Sequence, residues 1–211
     1  MRIIDLSHLL DNNTPVYPGS VKPEFNQVCS IVSDGFAESK IAMLSHVGTH
    51  IDAPAHLIEG AKYLDELEID NFCGKAFCID ISNKNGSNIE LTDLLPYSDK
   101  IKASEFLLFY TGWAGKWLEQ TYFEGFPVLT TQAAKWLCES KPKGIGLDCI
   151  SIDPVGSVTL PVHHIMLEND TLIIENLKIP AELSGKEFYF SCFPLKYYHS
   201  DGAPVRAVAF L

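Results

Sequence analysis

The chain has 211 residues, 46% of them hydrophobic and 20% charged, the composition of a folded globular protein and not of a disordered one. Its formal charge of -11 comes without a local Lys/Arg cluster, so nucleic acid and anionic membrane surfaces are not expected as partners. No apolar run nears the ~20 residues of a membrane helix, the start MRIIDLSHLL lacks the core of a signal peptide, and the six cysteines form no C-x-x-C pair, so a cytoplasmic protein with reduced thiols is expected.

Runs rich in β-branched and aromatic residues predict strands at 2–7 (RIIDLS), 25–32 (FNQVCSIV), 40–47 (KIAMLSHV) and 76–82 (AFCIDIS). A short helix is predicted over 91–98 (LTDLLPYS), followed by a strand at 105–111 (EFLLFYT). TTQAAKWLCES (130–140) opens on threonines that can cap a helix and places Ala134, Leu137 and Cys138 on a shared face. A strand follows at 144–149 (GIGLDC), and a third helix is predicted to begin at Pro161, where a first helical turn tolerates proline. EFYFSCF (187–193) and PVRAVAF (204–210) complete the predicted strands. No repeat or linker divides the chain, which predicts one domain over 1–211 of the α/β class, with a sheet covered by helices on at least one face.

SHVGTHIDAPAH (45–56) holds His46, His50, Asp52 and His56, four chemistry-bearing groups in a chain with seven histidines. On a helix His46 and His50 would share a face while Asp52 pointed away at 100° per residue. In an extended chain positions 46, 48, 50 and 52 fall on one side, with Gly48 as an open space between the imidazoles. Gly48, Thr49, Ile51 and Pro54 are poor material for a helix interior, which favours the extended reading. Two imidazoles and a carboxylate suit a divalent first-row ion, zinc first and manganese or iron as alternatives, and three protein ligands leave a position open for chemistry. His56, beyond the turn at Ala53-Pro54, is placed to carry a proton. A half-exposed strand with a polar outer face would explain a single histidine in this stretch, but not four aligned groups between Gly and Pro.

Other catalytic signatures fail. No G-x-S-x-G elbow is present, GWAGKW (112–117) lacks the earlier glycine and following Ser/Thr of a phosphate loop, and GIGLDC has Cys149 where a dinucleotide fingerprint needs its third glycine.

The motif His46-x-Gly48-Thr49-His50-x-Asp52-x-Pro54-x-His56 resembles the HxGTHxDxPxH signature of the cyclase-like family of metal-dependent hydrolases, to which bacterial kynurenine formamidase belongs. IDLSHLLDNNTPVYPG (4–19), TGW (111–113), GLDCISIDP (146–154), LPVHHIMLENDTLIIENL (160–177) and DGAPVRAVAF (201–210) extend the resemblance over most of the chain. It implies a swivelling β/β/α fold assembled as a homodimer or homotetramer, with N-terminal segments helping to build a neighbour's pocket. It also implies that His46, His50 and Asp52 hold one metal ion. A second ion, in members that bind two, would share Asp52 and take His163 and Glu175, twelve residues apart, with His164 left out. His56 carries over as the general acid/base.

Family formamidases carry Trp in a TPVWPG-like segment where this chain has Tyr17, so a ring can still stack on a small aromatic substrate. Trp113, inside TGW, is the second candidate for substrate contact, while His8, His199 and Asp201 receive no role. The implied activity is hydrolysis of an amide C–N bond, as in N-formylkynurenine, with a cyclic amide such as isatin as the alternative. A metal-binding structural or interaction protein is the non-enzymatic alternative, although closed structural zinc sites usually use clustered thiols instead of carboxylates.

Overall fold

The computed structural model describes residues 1–84 and 86–211. Its main sheet has eight strands, in the spatial order β1 (Ile3–Asp5), β10 (Gly202–Phe210), β4 (His50–Asp52), β8 (Leu172–Glu175), β7 (Gly144–Leu147), β6 (Phe106–Tyr110), β5 (Cys73–Asp80) and β9 (Glu187–Pro194). Residues 202–204 of β10 pair with β4 and residues 205–210 pair with β9, so the long last strand joins both ends of the sheet and closes it into a barrel. β5, β6, β7 and β8 run parallel, whereas β9, β10 and β4 meet their neighbours antiparallel. The result is a mixed α/β fold, as the sequence leads one to expect, with a barrel core and helices on its flank.

Alternation along the strands divides the apolar residues between two cores. Ala76, Cys78, Phe106, Leu108, Ile174 and Phe190 fill the barrel interior. Their neighbours Phe77, Ile79, Leu107, Phe109 and Ile173 face outward onto the helices. Parallel strands covered on both faces need uninterrupted apolar runs, and FLLFY in β6 is one. The covering helices are α4 (Thr131–Cys138), with Ala134 and Leu137 buried, and α5 (Pro161–Glu168), with Met166 and Leu167 buried. Thr130 caps α4 by accepting from the Ala133 amide, which explains the helix start that the threonines predict.

The glycines of GIGLDC serve packing. A Cβ on Gly146 would meet Leu177 and Leu108 side chains at 2.5 and 2.6 Å, and one on Gly144 would press on Phe106 and Ile174. Only glycine lets β7 lie against the large interior residues of its neighbours.

Several element bounds differ from the sequence expectation. The 25–32 run ends as strand β2 (Glu24–Cys29), because Ser30 caps the short helix α1 (Ile31–Asp34). The 40–47 run is strand β3 (Glu38–Ala42) only, and the chain from Met43 onward bends toward the cavity described below. Pro96 divides the 91–98 segment into α2 (Leu91–Leu94) and a tight turn, after which α3 (Ser98–Lys102) begins. β8 has no counterpart among the predicted strands: LIIE is four residues of buried parallel strand, too short and too uniformly apolar to show a period. No helix among the described residues is long and apolar enough to cross a membrane.

Candidate functional site

β4 supplies His50 and Asp52, two residues apart and therefore on one side of the strand. β8 pairs antiparallel with it and sets Glu175 directly opposite His50. His163 arrives from the first turn of α5. His46 does not lie on an extension of β4. Gly48 has φ +66°, in the left-handed region, so the chain turns between the two histidines, and the side of Gly48 expected to be open is filled by Leu10, which a Cβ would overlap. The expected uniform alternation from 46 to 52 is thus corrected: a glycine turn, not a continuous strand, brings His46 beside Asp52. Gly202, the first residue of β10, makes room for it, since a side chain at 202 would overlap the imidazole.

Asp52 is the centre of the group. Its Oδ1 lies 2.7 Å from His46 Nδ1 and 3.3 Å from His50 Nε2, and its Oδ2 lies 3.9 Å from His163 Nε2. Glu175 closes the other side, with Oε2 at 3.5 Å from His50 Nε2 and Oε1 at 3.4 Å from His163 Nε2. Asp52, His50, His163 and Glu175 are all buried. Among the described residues three sets of three groups have potential ligand atoms within 4.8 Å of one another: His46, His50 and Asp52; Asp52, His163 and Glu175; and His46, His56 and Asp201. The first two, which share Asp52 and draw on the buried groups, are suited to a divalent metal ion, whereas the third lies wholly on half-buried residues.

Each of the three histidines is held from behind. His50 Nδ1 donates to the Gly48 carbonyl at 2.8 Å, His163 Nδ1 donates to Asp153 Oδ2 at 2.7 Å, and His46 Nε2 donates to Asp201 Oδ2 at 3.0 Å. Every ring therefore turns its other nitrogen toward Asp52 or Glu175. An outer acceptor that fixes the tautomer while the free nitrogen points inward is the usual arrangement of metal-ligating histidines, so these residues fit the ion that the sequence motif implies. Asp153 does more than hold a ring: its carboxylate also accepts from the Val162 and His163 amides, capping an α5 that starts with Leu160 in the left-handed region and no side-chain cap of its own.

The electrostatics follow. Burial pushes His46 down, but Asp52 and Asp201 outweigh it and raise the imidazole to about 10. Burial likewise opposes a charged His163, yet Asp153, Glu175 and Asp52 bring it up to about 10. Asp52 itself is held well below the carboxylate range despite its burial, by His46 and His50. Protons on His46 and His163 thus balance the buried carboxylates in the metal-free protein, and a bound cation would take over that balance while releasing them. His56 differs. Burial lowers its pKa, the neighbouring His46 and His163 add to that, and Asp52 and Asp201 only partly oppose it. It is therefore neutral near pH 7 and able to accept a proton.

His56 ends the 3-10 turn Pro54–His56 and packs against the His46 ring at 4.0 Å centroid distance, tilted by 37°, with Asp201 Oδ2 at 3.9 Å from its Nδ1. It opens, with His46, His50, Asp52, His163 and Glu175, into a cavity of about 490 Å³. Tyr17, Leu44, Val47, Ile150 and Leu160 give that cavity an apolar wall, and Ser20, Ser45, Ser151 and Ser157 add hydroxyls. The Tyr17 hydroxyl is fixed by accepting from the Gly156 amide at 2.9 Å.

Trp113 is placed elsewhere. It is buried in a satellite core with Tyr122 and Phe126, its indole nitrogen donates to the Tyr122 carbonyl, and Lys116 Nζ sits 3.4 Å over the ring. It does not line the cavity, because the turn at Gly112 (φ +78°) carries it away from the candidate ligands after β6. His164 points outward toward Glu168, His199 stacks on Tyr63 and Tyr198, and His8 stacks on Trp117. Asp153 and Asp201 are the residues that sequence reasoning misses. Asp153 sits ten positions before His163 with no motif linking them, and Asp201 is visible only as an acidic neighbour of the last strand.

A kynurenine formamidase of Geobacillus thermodenitrificans is 31% identical over 206 residues, covering 97% of this chain and 95% of its own. An uncharacterised protein of Methanocaldococcus jannaschii is 33% identical over 212 residues and the full length of both chains. Isatin hydrolase A from Labrenzia aggregata, solved with benzyl benzoate, shares the fold with a TM-score of 0.89 at 22% identity, over 99% of this chain and 93% of that one. The model of the family described as putative cyclase matches residues 4–154, a span that contains the whole 46–56 motif and Asp153. By that match and by the full-length relatives, the chain belongs to the Cyclase family.

Proposed function

We propose that the protein is a metal-dependent hydrolase that cleaves the C–N bond of a small, neutral cyclic or aromatic amide. The observation that carries this reading is the set of three histidines, each held by an outer acceptor and turned toward Asp52 or Glu175 inside one cavity. His46, His50 and Asp52 would hold one divalent ion, and His163 and Glu175 would hold a second with Asp52 shared, zinc being the first choice and manganese or iron the alternatives. When bound, such an ion supplies Lewis-acid polarisation of a carbonyl and an activated water at neutral pH. A purely structural metal would have no use for an open cavity with an apolar wall beside the ligands.

The chain's own residues divide the remaining work. His56, neutral and within reach of the cavity, takes the proton released at the attacking water and returns it to the leaving nitrogen. Tyr17 and the apolar wall of Leu44, Val47, Ile150 and Leu160 bind a ring and keep bulk water from the reacting carbonyl. Among the described lining residues there is no Lys or Arg. A free amino-acid carboxylate, as in N-formylkynurenine, finds no cationic partner on that wall, whereas a neutral fused-ring amide such as isatin needs none. The identity with kynurenine formamidases favours N-formylkynurenine as the second reading.

Assembly is supported by β2 and β3, a two-stranded arm whose residues Val28 and Ile41 are exposed together with Ile31, Val32 and Phe36 at its tip. A second copy of the chain is the proposed cover, in a homodimer or homotetramer, and the arm's return strand leads straight to Leu44 and Ser45 in the cavity wall. Cysteines without disulfides, all six of them, fit a cytoplasmic enzyme.

The test is turnover of zinc- and manganese-loaded protein on isatin, other neutral cyclic amides and N-formylkynurenine. Cyclic amides are expected to give the higher kcat/KM. In His56→Ala, metal content should stay at the wild-type level while kcat falls by ~10²- to 10⁴-fold. A His56→Ala protein of wild-type activity would remove the proton-transfer role, and inactivity of the metal-loaded wild type on the whole panel would favour a binding protein.

A further inference from the structure

The Gly48 carbonyl accepts two hydrogen bonds. One comes from His50 Nδ1 at 2.8 Å and the other from the side-chain amide of Asn176, Nδ2, at 2.9 Å. Because a carbonyl can only accept, the second bond fixes the orientation of the Asn176 amide and turns its Oδ1 away. That oxygen receives the hydroxyl of Tyr122 at 2.7 Å. Tyr122 and Asn176 are both buried, at 0% and 1% exposure, so neither can exchange its partner for water.

The chain of contacts is anchored at every link. Tyr122 is held by packing against Trp117 and Phe123, and its carbonyl accepts the indole N–H of Trp113. Asn176 has φ +56°, a left-handed conformation that asparagine tolerates better than most residues. Its backbone amide donates to the Cys149 carbonyl at 2.9 Å, and its own carbonyl accepts from Thr49 Oγ1 at 2.6 Å. Asn176 directly follows Glu175 and reaches across to the peptide between His46 and His50. It thereby ties the two segments that carry the candidate ligands.

We propose that Tyr122 and Asn176 are positioning residues: through the Gly48 carbonyl they hold His50 as the Nδ1–H tautomer, with Nε2 directed at Asp52 and Glu175. The Gly48 carbonyl already lies where His50 can reach it, and Asn176 keeps it there by occupying its second lone pair and fixing the plane of that peptide. Both residues act from behind the ligand without touching an ion, and the inference rests on the metal reading above only for its consequence, not for its geometry.

Imidazole and side-chain amide ¹⁵N–¹H spectra of the metal-free and zinc-loaded protein, with zinc affinity by chelator competition, test it. Wild type is expected to show His50 protonated at Nδ1 and an Asn176 side-chain amide protected from exchange. Asn176→Ala should mix the His50 tautomers and weaken zinc binding by ~10- to 100-fold, and Tyr122→Phe, which keeps the ring and removes only the hydroxyl, should move both readouts in the same direction by less. A packing role alone would lower thermal stability and leave the His50 spectrum and zinc affinity as in wild type, which would overturn the proposal. If neither variant folds, the wild-type spectra decide: fast exchange of the Asn176 amide, or His50 protonated at Nε2 with Nδ1 bare, contradicts it, and the protected amide with Nδ1–H supports it. A wild-type chain that binds no zinc defeats the metal reading and leaves the metal-free tautomer result as the test of this one.

Discussion

Asp153 has the most concentrated role among the residues behind the candidate ligands. One carboxylate caps the first turn of α5 and holds the His163 ring, so helix start and imidazole orientation depend on the same group. His163 Nδ1 against Asp153 is also part of what raises that imidazole against its burial. Asp153→Asn keeps the shape and an acceptor oxygen but removes the charge. We expect zinc affinity to fall by ~10- to 100-fold, as loss of a partner that orients a ligand does, with a stability loss of about 1 kcal/mol from the weakened cap. Chelator competition and urea unfolding of the same preparation check the two effects, and unchanged zinc affinity would show that Asp153 serves only the helix. His46, His50, Asp52 and His56 are readable from the motif because their spacing is local. Asp153, Asp201 and Asn176 are not, since their contacts with His163, His46 and the Gly48 carbonyl arise from loops and strand ends that tertiary packing folds back onto the motif.

Elements show the same division. Strands β5 and β6 are legible because their apolar runs are buried at nearly every position, and β9 because its aromatic residues alternate between buried and exposed positions. β8, which carries Glu175, is not, and the left-handed turn at Gly48 looks in the sequence like a gap in a strand. Both discrepancies have one cause: a closed barrel uses short strands and sharp glycine turns whose register is set by neighbours, not by their own period. The β2–β3 arm stands outside this barrel with its apolar residues exposed. If it packs on a second copy, Val32→Asp combined with Phe36→Asp should convert the oligomer to a monomer in light scattering while the barrel still unfolds cooperatively. A monomeric wild type at tens of micromolar would remove the arm as an interface.

At the scale of the molecule, the acidic charge, the barrel closed by β10 and the cavity at one end of β4 and β8 form one arrangement. β10 closes the barrel and its first residue, Gly202, gives His46 its place, so barrel closure and the position of His46 depend on the same strand. The Asp52 carboxylate, buried to 1% exposure between His46, His50 and His163, is stable there only with positive charge around it. In the metal-free chain protonated histidines provide that charge, and in the working protein, on the proposed reading, a divalent ion provides it. The most direct measurement is the metal content of purified wild type and Asp52→Ala after equilibration with zinc, with circular dichroism to establish that both are folded. Stoichiometric metal in wild type and its loss in a folded Asp52→Ala protein are expected; metal retained equally by both, or absent from both, would contradict a metal centre built on Asp52.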